Sequence, residues 1–228
     1  MDKFGYIAIS LLMLPLWIYI YVKAQWLRKR MRSIGVYLGI LTIVVQPIFI
    51  NDYWNPPSLL GIDDFYAIED FMFGFLLMGI AISIYNYIFK IRYIKKYVRR
   101  KKLSVILSLG IFFFFIFMTT ILKYNSIFVL SYSLIVVALF IIYLRKDLFF
   151  PALFTAIFML LFLSIVYILI FNLWLTSYWD SYWKLVGTPY EYYILGIPWT
   201  EYLFYFSVGF FISILYDFAS GTAKEKCV

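Results

Sequence analysis

The sequence predicts an all-α integral membrane protein with seven transmembrane helices. They form two parallel three-helix repeats joined by a linker helix, a 3+1+3 plan, with the N-terminus outside and the C-terminus inside. Three observations predict it. Hydrophobic residues make up 65% of the 228 and mean hydropathy is +0.90, more apolar surface than a soluble domain of this size buries. Seven apolar runs approach the ~20 residues that a helix needs to cross the hydrocarbon. Features of the second and third runs recur in the sixth and seventh.

The first run, 4–22, follows a nearly neutral flank (Asp2, Lys3) and precedes the basic cluster Lys23, Arg28, Lys29, Arg30 and Arg32. It therefore reads as a membrane helix and not as a cleaved leader. The second, 34–50, ends in Ile48-Phe49-Ile50-Asn51-Asp52-Tyr53-Trp54, and the third, 67–89, opens on Ile68-Glu69-Asp70-Phe71-Met72-Phe73. A loop with Lys90, Arg92, Lys95, Lys96, Arg99, Arg100, Lys101 and Lys102 leads into the fourth run, 103–122. The fifth, 127–144, is followed by Arg145 and Lys146. The sixth is 149–173, and the seventh, 198–218, opens on Pro198-Trp199-Thr200-Glu201-Tyr202-Leu203-Phe204-Tyr205. With the N-terminus outside, all but three of the 20 lysines and arginines fall inside; the exceptions are Lys3, Lys123 and Lys184. Asp2, Asp52, Asp63, Asp64, Glu69, Asp70, Asp180, Glu191 and Glu201 then share the outer side. This is the positive-inside pattern, and the basic loops read as topology anchors and not as a nucleic-acid surface.

Runs two and six both end in a polar-aromatic sequence, the latter as Leu169-Ile170-Phe171-Asn172-Leu173-Trp174. Each is followed by a long loop closing in Leu-Gly-Ile, at Leu60-Gly61-Ile62 and Leu195-Gly196-Ile197, and then by an acidic helix start. Runs one to three thus correspond to five to seven, and an even number of crossings between them makes the repeats parallel. The expected units are 1–102, a linker at 103–125, and 126–228.

An acid at the edge of the hydrocarbon is costly unless paired, hydrated or protonated, so Glu69, Asp70 and Glu201 are functional candidates. The helix dipole favours an ionised first-turn acid and an apolar surrounding favours a neutral one, so one acid can hold a proton beside another that does not. Such a pair is an acid/base system. Trp54, Phe73, Trp199, Thr200, Phe204 and Tyr205 surround it in sequence, and aromatic faces attract cations. This set suits protonation of an alkene in a lipophilic substrate, followed by loss of a proton from the resulting carbocation. Against it stand ordinary readings: first-turn acids stabilise helices, and tyrosines and tryptophans crowd membrane interfaces. Asp63 and Asp64 read as a solvated loop pair, and Asp217 as structural.

No histidine and a single cysteine, Cys227, give no basis for a transition-metal site or a disulfide framework, although a carboxylate-bound Mg²⁺ stays open. No dinucleotide or phosphate-binding glycine motif appears, and no cofactor or metal is expected.

The helix-opening pattern resembles the Pro-x-Glu-Glu-x-x-Phe-Phe signature of the membrane-embedded, non-flavin lycopene cyclases, whose bacterial members are paired subunits and whose archaeal and fungal members are fused seven-helix chains. In the second copy Pro198, Glu201 and Phe204 match, with Thr200 in place of the first Glu and Tyr205 in place of the last Phe. In the first, Glu69, Asp70 and Phe73 match in kind, with Ala67 for Pro and Gly74 for the last Phe. The resemblance implies proton-initiated closure of the linear ends of lycopene, or a related polyene, into β-rings without net redox change. Glu69, Asp70 and Glu201 would then supply acid and base. It also implies a polyene drawn from the bilayer, with lipids and other carotenoid-pathway enzymes as partners, in a prokaryotic plasma membrane. The alternative is a small transporter of SWEET or PQ-loop plan, or a non-catalytic lipid-binding protein. The order Gln46-Pro47 reverses the PQ pair, and the polar residues lie at one face and not at mid-membrane.

Overall fold

The computed structural model describes residues 1–59 and 67–226. The chain is built from α1 (Gly5–Lys23), α2 (Arg28–Asp52), α3 (Ala67–Ala81), α4 (Ile84–Ile88), β1 (Ile91–Lys95), α5 (Lys101–Ile116), α6 (Ser126–Leu144), α7 (Phe149–Tyr167), α8 (Tyr178–Tyr182), β2 (Tyr193–Ile194), β3 (Ile197–Pro198), α9 (Trp199–Ser220) and β4 (Thr222–Lys226). Among the described residues six helical segments are long and apolar enough to cross a membrane, those of α1, α2, α5, α6, α7 and α9. The chain is an all-α, multi-pass membrane protein.

The expected third span, 67–89, is helical but interrupted. Ser83 Oγ donates back to the Gly79 and Ile80 carbonyls at 2.7 and 3.2 Å, and its N–H reaches only three residues back, to Ile80. This competition between hydroxyl and backbone breaks the ladder between α3 and α4. α5 and α7 both finish in π-helical turns, Phe117–Ile121 and Ile168–Asn172.

Packing centres on two helices. α3 lies against α2 and α1, and α9 lies against α7, α6 and α5. Of the six long apolar segments α9 is the most enclosed, 61% of its apolar core being buried against at most 39% in the others. Close approach at both hubs needs glycine. A Cβ on Gly74 would meet Thr42 Oγ1 at 2.5 Å, and one on Gly209 would meet the α7 backbone at Ala156 at 2.8 Å. Small residues that let backbones meet are the usual route to helix association in lipid. The turns from α1 to α2 and from α6 to α7 are alike too, each a single 3₁₀ turn, at Gln25–Leu27 and Lys146–Leu148.

The charges divide the molecule into an acidic end, where α9 starts, and a basic end, where it stops. The basic end is more ordered than a set of solvated anchors. Arg30 is buried, pairs with the equally buried Asp217 at 2.8 Å and lies over the Tyr216 ring at 3.9 Å. Gly221, in the left-handed region at φ 67°, stops α9, and its carbonyl accepts from the N–H groups of Lys96 and Tyr97. β1 and β4 then pair antiparallel, from Ile91 with Lys226 to Lys95 with Thr222, so the basic loop and the tail form one ribbon.

Candidate active site

Glu201 occupies the first turn of α9, and the chain before it fixes that turn. β2 and β3 form a two-residue hairpin at Leu195-Gly196, both with positive φ (51° and 73°), the geometry that suits tight hairpins. Asn172 Nδ2 donates to the Leu195 carbonyl at 2.6 Å and lies where a Cβ on Gly196 would stand. Pro198 then enters α9 with the fixed φ that a helix start requires. The Leu-Gly-Ile element thus aims Glu201 inward. Its expected counterpart, Leu60-Gly61-Ile62, lies outside the described residues, as do Asp63, Asp64, Phe65, Tyr66 and Cys227.

The carboxyl is 3% exposed and held by phenols. Tyr53, immediately after α2, donates its hydroxyl to Glu201 Oε1 and lies 2.9 Å from Thr200 Oγ1. Because its one O–H is donated to the carboxyl, Tyr53 accepts from Thr200. The Tyr205 hydroxyl, one turn along α9, bonds the Tyr167 hydroxyl, and both belong to the shell around Glu201. Tyr53 is itself fixed by backbone bonds: its carbonyl accepts from Lys184 N–H at 2.8 Å, and Asn55 N–H donates to Tyr182 O at 3.1 Å.

Asp70 is 1% exposed and accepts from the Tyr6 hydroxyl at 2.6 Å. Tyr6 meets Trp54 edge-on, with centroids 5.2 Å apart, and Trp54 directly follows Tyr53 in the chain. The two carboxyls are thus joined by a wall of tyrosines and one tryptophan. Glu69 points elsewhere and accepts from Leu59 N–H at 3.0 Å.

A cavity of about 550 Å³ opens beneath this wall. Of the residues expected from sequence, Trp54, Phe73, Glu201, Phe204 and Tyr205 line it. Asp70 reaches it through Tyr6, and Thr200 stands behind Tyr53. Glu69 and Trp199 are not on it; the Trp199 indole donates to Tyr190 O at 3.0 Å and packs on Phe128. Several other acids have structural partners. Asp52 accepts from Ser126 N–H (2.7 Å) and Oγ (2.5 Å) at the start of α6, and Glu191 accepts from Gly187 N–H at 2.6 Å. Among the described residues no group of three metal-ligating side chains comes together.

Sequence reasoning missed Tyr6, Tyr53 and Tyr167. The one usable signal was Tyr167, a phenol inside the aliphatic stretch Ile165-Val166-Tyr167-Ile168-Leu169.

No curated protein and no solved structure matches the chain. The family model described as lycopene cyclase matches residues 3–88 and 125–219, most of the chain and both acidic helix starts. The chain belongs to the lycopene cyclase family, and it is an enzyme of carotenoid cyclisation.

Proposed function

We propose that the protein closes the linear ends of lycopene, or a related polyene, into β-rings by protonation and deprotonation within the bilayer. The observation that carries this is Glu201, buried at one end of an apolar cavity with phenols on its carboxyl and aromatic faces beside it. Glu201 delivers a proton to the terminal double bond. The next double bond attacks the cation formed, closing a six-membered ring and moving the charge into it. A ring carbon then gives up a proton, which Asp70 receives through the Tyr6 hydroxyl. One proton enters and one leaves, so the product is an isomer and the step needs no redox cofactor.

Trp54, Phe73, Phe204 and Tyr205 steady the cation, since a cation over an aromatic face gains about 0.5–2 kcal/mol. They also keep water from capturing it. Glu69 holds Leu59, in the segment that follows α2, through the Leu59 N–H.

The membrane arrangement belongs to the same proposal. α3 and α4 together form the seventh crossing, with Ser83 at a kink, and the charge division sets the acidic end outside. Two parallel repeats, within 1–102 and 126–228, are supported by the matched packing of α3 on α2 and α1 and of α9 on α7 and α6. The similar 3₁₀ turns and the two-part family match also support them. The polyene and surrounding lipid are the expected partners. No observation favours the transporter or lipid-binding alternative.

The test is expression in cells that accumulate lycopene, followed by pigment analysis. Cyclised carotenes should replace lycopene, and Glu201→Gln should abolish the conversion at an unchanged level of protein in the membrane. Unchanged lycopene with the parent protein present in the membrane would overturn the substrate assignment.

A further inference from the structure

The cavity is longer than the chemistry at Glu201 requires. It follows α9 from Glu201 through Val208 and Ile212 to Ala219. At ~1.5 Å per residue that stretch rises about 27 Å, close to the ~30 Å of a bilayer's hydrocarbon. A volume of about 550 Å³ drawn out over such a length makes a slot, not a chamber. Its side walls are α2 and α5, and its far floor is Tyr216, held by Arg30.

The two halves of the slot differ in cover. Towards the acidic end Phe49 of α2 stacks on Phe115 of α5, with centroids 5.7 Å apart and planes at 24°. Phe115 is only 1% exposed, so the slot is shut sideways there. Towards the basic end the lining residues are also surface residues: Tyr37 is 64% exposed, Val105 57% and Leu109 46%. An apolar surface of that kind in a membrane chain faces lipid tails. The slot is therefore open to the bilayer in its basic half and closed around the acid in the other.

We propose that the polyene lies along α9 with one end at Glu201 and its distal part seated in the open half of the slot, between Tyr37, Ser108 and Tyr216. A rigid, extended hydrocarbon without polar groups is the ligand that such a slot fits. Ser108 and Leu109 become determinants of substrate length: they touch the distal part of the chain and are remote from the reacting end. The inference rests on Glu201 as the acid, and it adds the binding direction and the seat of the distal chain.

The test uses the full chain in lipid vesicles with two substrates, the long polyene and a truncated one carrying the same reactive end. Ser108→Trp, which fills the open half, should lower kcat/KM for the long polyene by about tenfold or more. The truncated polyene should be turned over by this variant at the parent rate. Gly110→Trp, on the same helix but off the slot, where an added Cβ meets nothing within 4 Å, should leave both rates within about twofold. Leu109→Trp provides a second plug and should behave as Ser108→Trp does. Parent rates on the long polyene in both plugged variants would overturn this seat for the distal chain, as would equal loss of both substrates. Turnover of the truncated polyene by Glu201→Gln would instead overturn the acid and leave the distal seat standing.

Discussion

Tyr53 has one hydroxyl proton, and its position decides what Thr200 does. With that proton directed at Glu201 Oε1, the Tyr53 oxygen can only accept from Thr200, whose hydroxyl supplies the donor. The residue that departs from the family's Glu-Glu pair thus orients the phenol of its neighbour. Removing one hydrogen bond to a charged or reacting group typically costs about 1.5–3 kcal/mol. Tyr53→Phe should therefore slow cyclisation by about tenfold to a hundredfold with the protein level unchanged, as measured by product formation in membranes. Thr200→Val should act in the same direction by a smaller factor, because it touches the carboxyl only through Tyr53. Glu201 was legible in the sequence because a carboxylate is rare at that depth and has few structural excuses. Tyr53 and Tyr6 were not, because a phenol near a membrane interface needs no special reason to be there. Only contacts between residues 148 and 64 positions apart give them a role.

At the scale of elements, helix ends and close approaches carry the positioning. Asp52 closes α2 and also satisfies the first turn of α6 through Ser126, tying the start of one helix to the end of another. Asp52→Ala should cost about 1 kcal/mol, the usual value of a lost N-terminal cap, and this should appear as a lower midpoint in thermal unfolding in detergent. Gly209 permits backbone contact between α9 and α7, so Gly209→Leu should push the helices apart and reduce the folded protein recovered from membranes. Helix positions were readable from apolar runs alone; 127–144 and 149–173 fall close to the observed segments. The break after α3 was not, since Ser83 is one polar atom in an apolar run and its effect depends on which carbonyl it reaches. The β1–β4 ribbon was hidden for a related reason: Ile91-Arg92-Tyr93-Ile94-Lys95 and Thr222-Ala223-Lys224-Glu225-Lys226 are short and charged, with no sustained alternation for a sequence pattern to find.

For the whole molecule, the sequence showed repetition and charge sorting, and these are properties of many residues at once. They lead to a prediction about sidedness. In a Cys227→Ser background, Glu191→Cys should react with an impermeant thiol reagent added outside intact cells, and Lys101→Cys should react only after permeabilisation. What the sequence did not show is that one member of the basic cluster, Arg30, is buried against Asp217 at the far end of the chain. Arg30→Met removes the guanidinium from a buried carboxylate and should destabilise the fold by about 3–5 kcal/mol, read as loss of protein from the membrane fraction.

Arg30 and Tyr53 bracket α2, and their partners Asp217 and Glu201 bracket α9. The two helices are thus pinned together near both tips. A strut fixed at each end gains width only by bowing between its fixed points, and Pro47, inside α2, removes one helical hydrogen bond there. The slot can therefore swell to pass a bulky molecule while the Glu201–Tyr53 contact stays registered. Breathing room and catalytic alignment are assigned to different stretches of the same helix.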